Sequence, residues 1–309
     1  MPLQHILSPA GPQAERIVDL WWFTVAICAA VTIAVLVALC FSLVRGRRAA
    51  STLRNPNVPV ALAVGASTLL LLVLITASVA TDRALAKLPG EGALEIEVTG
   101  HKWWWEIRYK DPDPQREFVG ANELHIPVGR TVRLKLRSDD VIHSFWVPSL
   151  GGKKDLIPGR DAELLLRADQ AGTYRGQCAE FCGAQHAKMA FFVFAESAPE
   201  FEAWATRQRQ PAAEPADSLQ VKGKALFVGG TCASCHAILG TQANGRKAPD
   251  LTHMASRTHI AAGALRNEPD KLRDWIKDPH QHKPGVNMPA NPLPDDELQA
   301  LAAYLASLK

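Results

Sequence analysis

The sequence predicts a membrane-anchored multidomain chain: a two-helix hairpin, then an all-β sandwich or small barrel, then an all-α module. Three observations predict it. Residues 20–44 and 55–81 carry no charged side chain. From Leu94 to about Ala195 apolar and polar residues alternate with a period close to two, and after Asp217 the period becomes helical. The length of 309 residues alone suggests about two domains. An apolar share of 47%, a charged share of 21% and a net charge of +3 exclude a disordered chain and leave no basic excess for nucleic acid.

Leu20 to Val44 is 25 residues, about 37 Å of helix against roughly 30 Å of hydrocarbon. A secretory signal has a basic start and a shorter apolar core, whereas here Glu15 and Asp19 precede the run. A membrane span over 20–44 is therefore expected, and a second over 58–80, which contains Leu69-Leu-Leu-Leu-Val-Leu74. The connector holds Arg45, Arg47, Arg48 and Arg54 and no acid, which places it in the cytoplasm. The N-terminal tail and everything after residue 81 then face outward. Trp21 and Trp22 fall where an outer aromatic belt would lie, or pack in a core. Cys28 and Cys40, inside the first span, read as small lipid- or helix-facing residues.

In the β region, Leu94–Val98, Glu123–Val128 and Thr131–Arg137 read as half-buried strands, punctuated by Pro112, Gly129, Gly151, Pro158-Gly159 and Gly172. Its C-terminal edge is Cys178-Ala-Glu-Phe-Cys182-Gly-Ala-Gln-His186-Ala-Lys-Met189. Two thiolates, an imidazole and a thioether form a soft set suited to copper. A disulfide would leave the histidine and methionine without a role, and methionine is a poor zinc ligand. A mononuclear blue-copper site uses one cysteine, so two can bridge two ions. A second imidazole is then needed. His143, in Asp139-Asp-Val-Ile-His143-Ser-Phe-Trp-Val-Pro148, is the best candidate, and His101 and His125 are rivals by residue type.

Residues 197–217 are rich in proline and alanine and read as an extended, exposed linker, with roughly 25 Å of typical reach as a flexible chain. Beyond it Leu219–Val228, Asp270–Lys277 and Asp295–Leu308 are expected helices, the last with acids in its first turn. Between them lies Cys232-Ala-Ser-Cys235-His236. Thiols three apart can add to both vinyl groups of one haem while the adjacent imidazole takes the iron. The alternative, a redox pair or half a zinc finger, fits poorly because no second CxxC occurs. A covalent haem would also supply an apolar centre to a module short of Leu, Ile and Phe. The sixth ligand would be Met288 or Met254, the only methionines here.

Several segments resemble subunit II of the haem–copper cytochrome c oxidases. They are the metal loop, the His143 segment with Val147-Pro-Ser-Leu-Gly151, Asp155-Leu-Ile-Pro-Gly-Arg160 and Gly100-His-Lys-Trp-Trp-Trp105. The resemblance covers residues 1–196, and the whole chain looks like the cytochrome-c-fused, caa-type form. It implies a cupredoxin-like sandwich over 91–196 with a binuclear copper A centre. Cys178 and Cys182 would bridge both coppers, His143 and His186 would be terminal ligands, and Met189 with the carbonyl of Glu180 would be weak ones. The Glu180 carboxylate would also help hold magnesium at the boundary with subunit I. Asn287-Met288-Pro289 resembles the methionine loop of class I cytochromes c, which favours Met288 as the axial ligand over 218–309. Trp103 matches the aromatic that faces the electron donor.

The implied role is to pass electrons from a cytochrome c donor through haem c and copper A to the haem of subunit I. Partners are then subunit I, other membrane subunits and lipid, with the redox domains on the periplasmic face of a bacterial-type cell membrane. Two bridging thiolates spread one electron over two ions, and no coordination position need be open, so a relay is implied rather than bond-making chemistry. Asn55-Pro-Asn-Val-Pro-Val60 departs from relatives that carry a glutamate feeding a proton channel there, so Glu15 or a neighbouring subunit would have to substitute. Two rivals remain, the copper A subunit of a nitric-oxide reductase and a copper-delivery or storage protein.

Overall fold

The computed structural model describes residues 4–45, 57–85, 88 and 90–309. The chain separates into two compact units, Gln13–Leu88 and the rest. The connector arginines 47, 48 and 54 and Asn55-Pro56, the first residues of the second charge-free stretch, lie outside the described residues.

Helix α1 (Pro12–Arg45) and helix α2 (Asn57–Leu85) have 34 and 29 residues. Both outrun the uncharged stretches, because a helix need not end where hydrocarbon ends; α1 opens on a proline, and Glu15, Arg16 and Asp19 continue it. Both are long and apolar enough to cross a membrane. Thr24, Thr32, Thr68 and Thr76 each donate to the carbonyl four residues earlier, which satisfies hydroxyls that lipid could not. Trp21, Trp22, Cys28 and Cys40 are exposed on α1 rather than packed in a core.

The β region is a cupredoxin-like sandwich of two five-stranded sheets. One has the order β3-β2-β1-β5-β8, with β1 Leu94–His101, β2 Trp104–Tyr109, β3 Phe118–Ala121, β5 Val132–Ser138 and β8 Ala162–Leu166. The other has the order β4-β10-β9-β6-β7, with β4 Glu123–Pro127, β6 His143–Trp146, β7 Lys154–Leu156, β9 Gly172–Cys178 and β10 Ala190–Glu196. The parallel pairs β1–β5 and β10–β4 belong one to each sheet. Period-two alternation sends Ile96 and Val98 of β1 and Leu134 and Leu136 of β5 inward, against Trp105, Phe145 and Phe191.

Strand β4 departs from the alternation, since all five of its residues are buried. Its outer face is covered, at His125 by the segment expected to be a linker and at Glu123 by Thr258 and His259. Residues 198–208 form helix α3 (Ala198–Gln208) behind a Ser197/Glu200 capping box. Phe201, Trp204 and Ala205, at helical spacing, face the sandwich; Trp204 stacks on His125 at 4.0 Å and meets Tyr109 at 5.2 Å. Only 209–217 connects, and it is strapped down: Arg209 Nε donates to Arg116 O at 3.0 Å and Ala212 N to Leu239 O at 2.9 Å. A free tether is therefore not what the structure contains.

The C-terminal domain packs α4 (Ser218–Gly229), α5 (Pro269–Lys277) and α6 (Asp295–Ser307), with a short hairpin of β11 (His259–Ile260) and β12 (Leu265–Arg266). Helix α4 approaches α6 closely because Gly223 lacks a side chain; a Cβ there would lie 2.1 Å from Ala300 O. Phe227, Leu272, Ile276, Leu301 and Tyr304 form its core.

Candidate metal centre and C-terminal cavity

The antiparallel pairing of β6 with β9 sets Phe145 opposite Cys178. That register brings His143, two residues away on β6, beside Cys178 at the end of β9. The 179–189 loop then folds back through a 3-10 turn at His186–Lys188 before β10. The donor atoms follow one another in a row. His143 Nδ1 is 3.8 Å from Cys178 Sγ, Cys178 Sγ is 3.7 Å from Cys182 Sγ, and Cys182 Sγ is 3.7 Å from His186 Nδ1. Met189 Sδ lies 3.8 Å from Cys182 Sγ, and the Glu180 carbonyl 3.2 Å from Cys178 Sγ. His143, Cys178 and Cys182 are buried and could hold an ion within one cluster. With the thiols central and an imidazole at each end, the row suits two ions sharing two sulphurs better than one ion in a closed set.

His143 is oriented by two contacts. Its Nε2–H donates to Asp140 Oδ1 at 2.8 Å, which leaves the Nδ1 lone pair for the metal side. Its ring lies on the Gly100 backbone, where a Cβ would come within 2.9 Å of Cδ2. Burial opposes a charge on His143, but Cys178 and Asp140 outweigh it and push its pKa up. Hydrogen bonding from Cys182, then from His143, holds the Cys178 thiol far below its ordinary value despite burial, while that neighbouring sulphur pushes Cys182 up. The pair thus holds a proton that a bound metal would displace.

The rival histidines do not join this set. His101 stacks on Trp104 at 4.4 Å with Nδ1 3.4 Å from Asp139, and His125 is held between Trp204 and Phe194 with Nδ1 3.1 Å from Glu196. The tryptophan run divides three ways. Trp105 is core, 1% exposed; Trp104 pairs with His101; Trp103 donates its indole N–H to Cys182 O at 2.9 Å.

In the C-terminal domain Cys232, Cys235 and His236 line a cavity of about 280 Å³ with apolar walls that include Phe227, Leu272, Ile276 and Leu305. The His236 Nδ1–H donates to Pro249 O at 2.7 Å, so Nε2 keeps its lone pair, and burial pushes the imidazole toward its neutral form. Two free thiols, a neutral imidazole and apolar walls fit a covalently held haem. Met254 and Met288 both line the cavity. Met254 is 3% exposed, and its sulphur sits 3.8 Å from the Asn267 amide nitrogen. Met288 is half-buried in the loop before α6.

Lys102 and Trp103 line the same cavity, because the C-terminal domain is docked on the sandwich. The buried Glu123 Oε1 accepts from Thr258 N (2.8 Å), Thr258 Oγ1 (2.6 Å) and His259 N (3.1 Å). Phe192 stacks on His259 at 4.1 Å, Ala190 N donates to Ala262 O at 3.0 Å, and Gln185 Nε2 donates to Pro284 O. None of these partners stood out in the sequence. Asp140 did carry a signal, an acid three residues before the candidate ligand His143; Glu123 reads only as one polar position in a strand.

A cupredoxin-like sandwich with paired cysteines, docked to a helical domain with a CxxCH cavity and carried by two membrane-length helices, defines a membrane-anchored electron-transfer protein. Residues 112–196 match the cytochrome c oxidase subunit II periplasmic domain, and residues 220–309 match cytochrome c. The chain is 34% identical to cytochrome c oxidase subunit 2 of Alkalihalophilus pseudofirmus over 98% of its own length and 90% of that relative. It is 33% identical to cytochrome c oxidase subunit 2 of Bacillus sp. strain PS3, over 78% of this chain and 71% of that one. A crystal structure of the periplasmic domain of subunit II of cytochrome oxidase from Bradyrhizobium japonicum superimposes with a TM-score of 0.35 and 33% identity, covering 38% of this chain and 93% of that one. The chain belongs to the cytochrome c oxidase subunit 2 family, in the form fused to a cytochrome c domain, and is part of a cytochrome c oxidase complex. Its two families imply copper A and haem c.

Proposed function

We propose that the chain is the electron-input subunit of a terminal respiratory oxidase, in which haem c takes electrons from a cytochrome c donor and copper A delivers them to the haem of subunit I for reduction of oxygen to water. Cys232 and Cys235 would hold the haem covalently, with His236 and Met288 as its iron ligands. Met288 is preferred because the Met254 sulphur is already engaged by Asn267. Cys178, Cys182, His143 and His186 would hold the coppers, with Met189 and the Glu180 carbonyl as weaker ligands. Residues 91–196 hold the copper and 218–309 the haem, both on the periplasmic face of the cell membrane with the arginine connector inside. The Glu180 carboxylate would share magnesium with subunit I; its neighbour Phe181, 74% exposed, gives that loop an apolar group to bury against a partner.

One observation carries this reading: Trp103 lines the CxxCH cavity while its indole N–H is bonded to the Cys182 carbonyl. A single residue thus borders both candidate redox sites. The donor's electron is received at the haem-bearing domain, since that domain covers Trp103. In the intact complex, Trp103→Leu is expected to slow haem-to-copper transfer at least roughly tenfold, the order seen when reacting groups lose alignment. The spectra of both centres should stay as in the wild type. Transfer at the wild-type rate in that variant would remove Trp103 from the route.

A further inference from the structure

Lys283 is 1% exposed, and no carboxylate among the described residues pairs with it. A bare ammonium is costly to bury unless it is hydrogen-bonded, so its partners are informative. Its Nζ donates to Trp103 O at 3.3 Å in the sandwich and to Ala261 O at 3.2 Å in its own domain. Burial first, and Lys188 second, push its pKa down to about 8, against the Cys182 sulphur.

The backbone around it is shaped for this contact. Ala261, Ala262 and Gly263 all have positive φ, at 55°, 56° and 77°. Two consecutive alanines in the left-handed region are strained, and strain of that kind persists only where surroundings hold it. Here the turn brings the Ala261 carbonyl to Lys283 and the Ala262 carbonyl to Ala190 N. On the other side, Lys102 N donates to Asp140 Oδ2 at 2.6 Å, and Asp140 is the partner of His143. Asn287 Nδ2 donates to Lys102 O at 3.0 Å. The Lys102–Trp103 segment is therefore held from the metal side by Asp140 and Cys182, and from the cavity side by Lys283 and Asn287.

We propose that Lys283 is a positioning residue: its buried ammonium pins the CxxCH domain to the backbone of Trp103 and so fixes the distance over which the two redox sites exchange electrons. The inference rests on the relay reading for its consequence, but not for the pin itself. Its test uses the full chain in its complex, with Lys283→Met, which keeps length and apolar bulk, and Lys283→Arg, which keeps charge. Hydrogen exchange would be read at amides 258–263 and 102–104, alongside the haem-to-copper rate. In Lys283→Met both segments should exchange at least tenfold faster, and transfer should slow by a similar factor. Lys283→Arg should restore both.

Unchanged exchange in Lys283→Met would overturn the pin, as would equal loosening in the arginine variant, which would mark shape rather than charge. Loosened exchange with an unchanged transfer rate would leave the pin standing but overturn its part in fixing the distance between the two redox sites. Should the methionine variant not incorporate haem, Lys283→Gln provides the same comparison with a neutral hydrogen-bonding chain.

Discussion

Cys182→Ser is expected to leave the protein with at most one copper and to cut haem-to-copper transfer by on the order of a hundredfold or more, beyond what loss of an outer-shell partner costs. The wild-type chain should bind about two coppers beside its haem iron, with a mixed-valence signal. The reason is the order of donors in space. Cys182 Sγ is 3.7 Å from both Cys178 Sγ and His186 Nδ1 and 3.8 Å from Met189 Sδ, so it stands in the middle of the row. Serine there disconnects His186 and Met189 from Cys178 and His143. The remaining thiol, imidazole and carbonyl could hold one ion with an ordinary one-thiolate spectrum. Metal analysis and electron paramagnetic resonance of both proteins decide the matter. A single copper in the wild type would defeat the binuclear assignment.

Met288→Ala should abolish the methionine-to-iron absorption band and lower the haem midpoint potential, because a thioether ligand favours reduced iron. Met254→Ala should leave the band in place. It is expected instead to destabilise the C-terminal domain by about 2–5 kcal/mol, as truncating a buried methionine does, since Met254 belongs to that domain's core. Optical redox titration together with thermal unfolding separates the two outcomes. The reverse pattern would exchange the roles of the two methionines.

The parts legible in the sequence were those with strict spacing. Both helices of the hairpin follow from charge-free runs, β1 and β5 from period two, and the metal loop from four soft ligands between Cys178 and Met189. His143 was harder, because its neighbourhood depends on the β6–β9 register, which no local pattern announces. The uniform burial of β4 was hidden for the same reason, as its outer face is covered from distant segments. Helix α3 is the plainest departure. The prolines and alanines of residues 208–217 suggested a linker over the whole of 197–217, yet Phe201, Trp204 and Ala205 already showed the i, i+3, i+4 spacing of a buried stripe. Lys283 gave no signal, since a lysine among prolines and glycine reads as solvated until its carbonyl partners are located.

Helix α3 also determines where the soluble copper-binding part can be cut. The family match ends at residue 196, which invites a recombinant fragment ending there. Such a fragment would lose the Trp204 indole from the faces of His125, Tyr109 and Phe118, and with it a side chain of the kind that buries about 150–250 Å². A newly bared aromatic patch beside a sheet is a site for self-association. A fragment carried through Gln208 keeps that lid and ends where the strap toward the second domain begins.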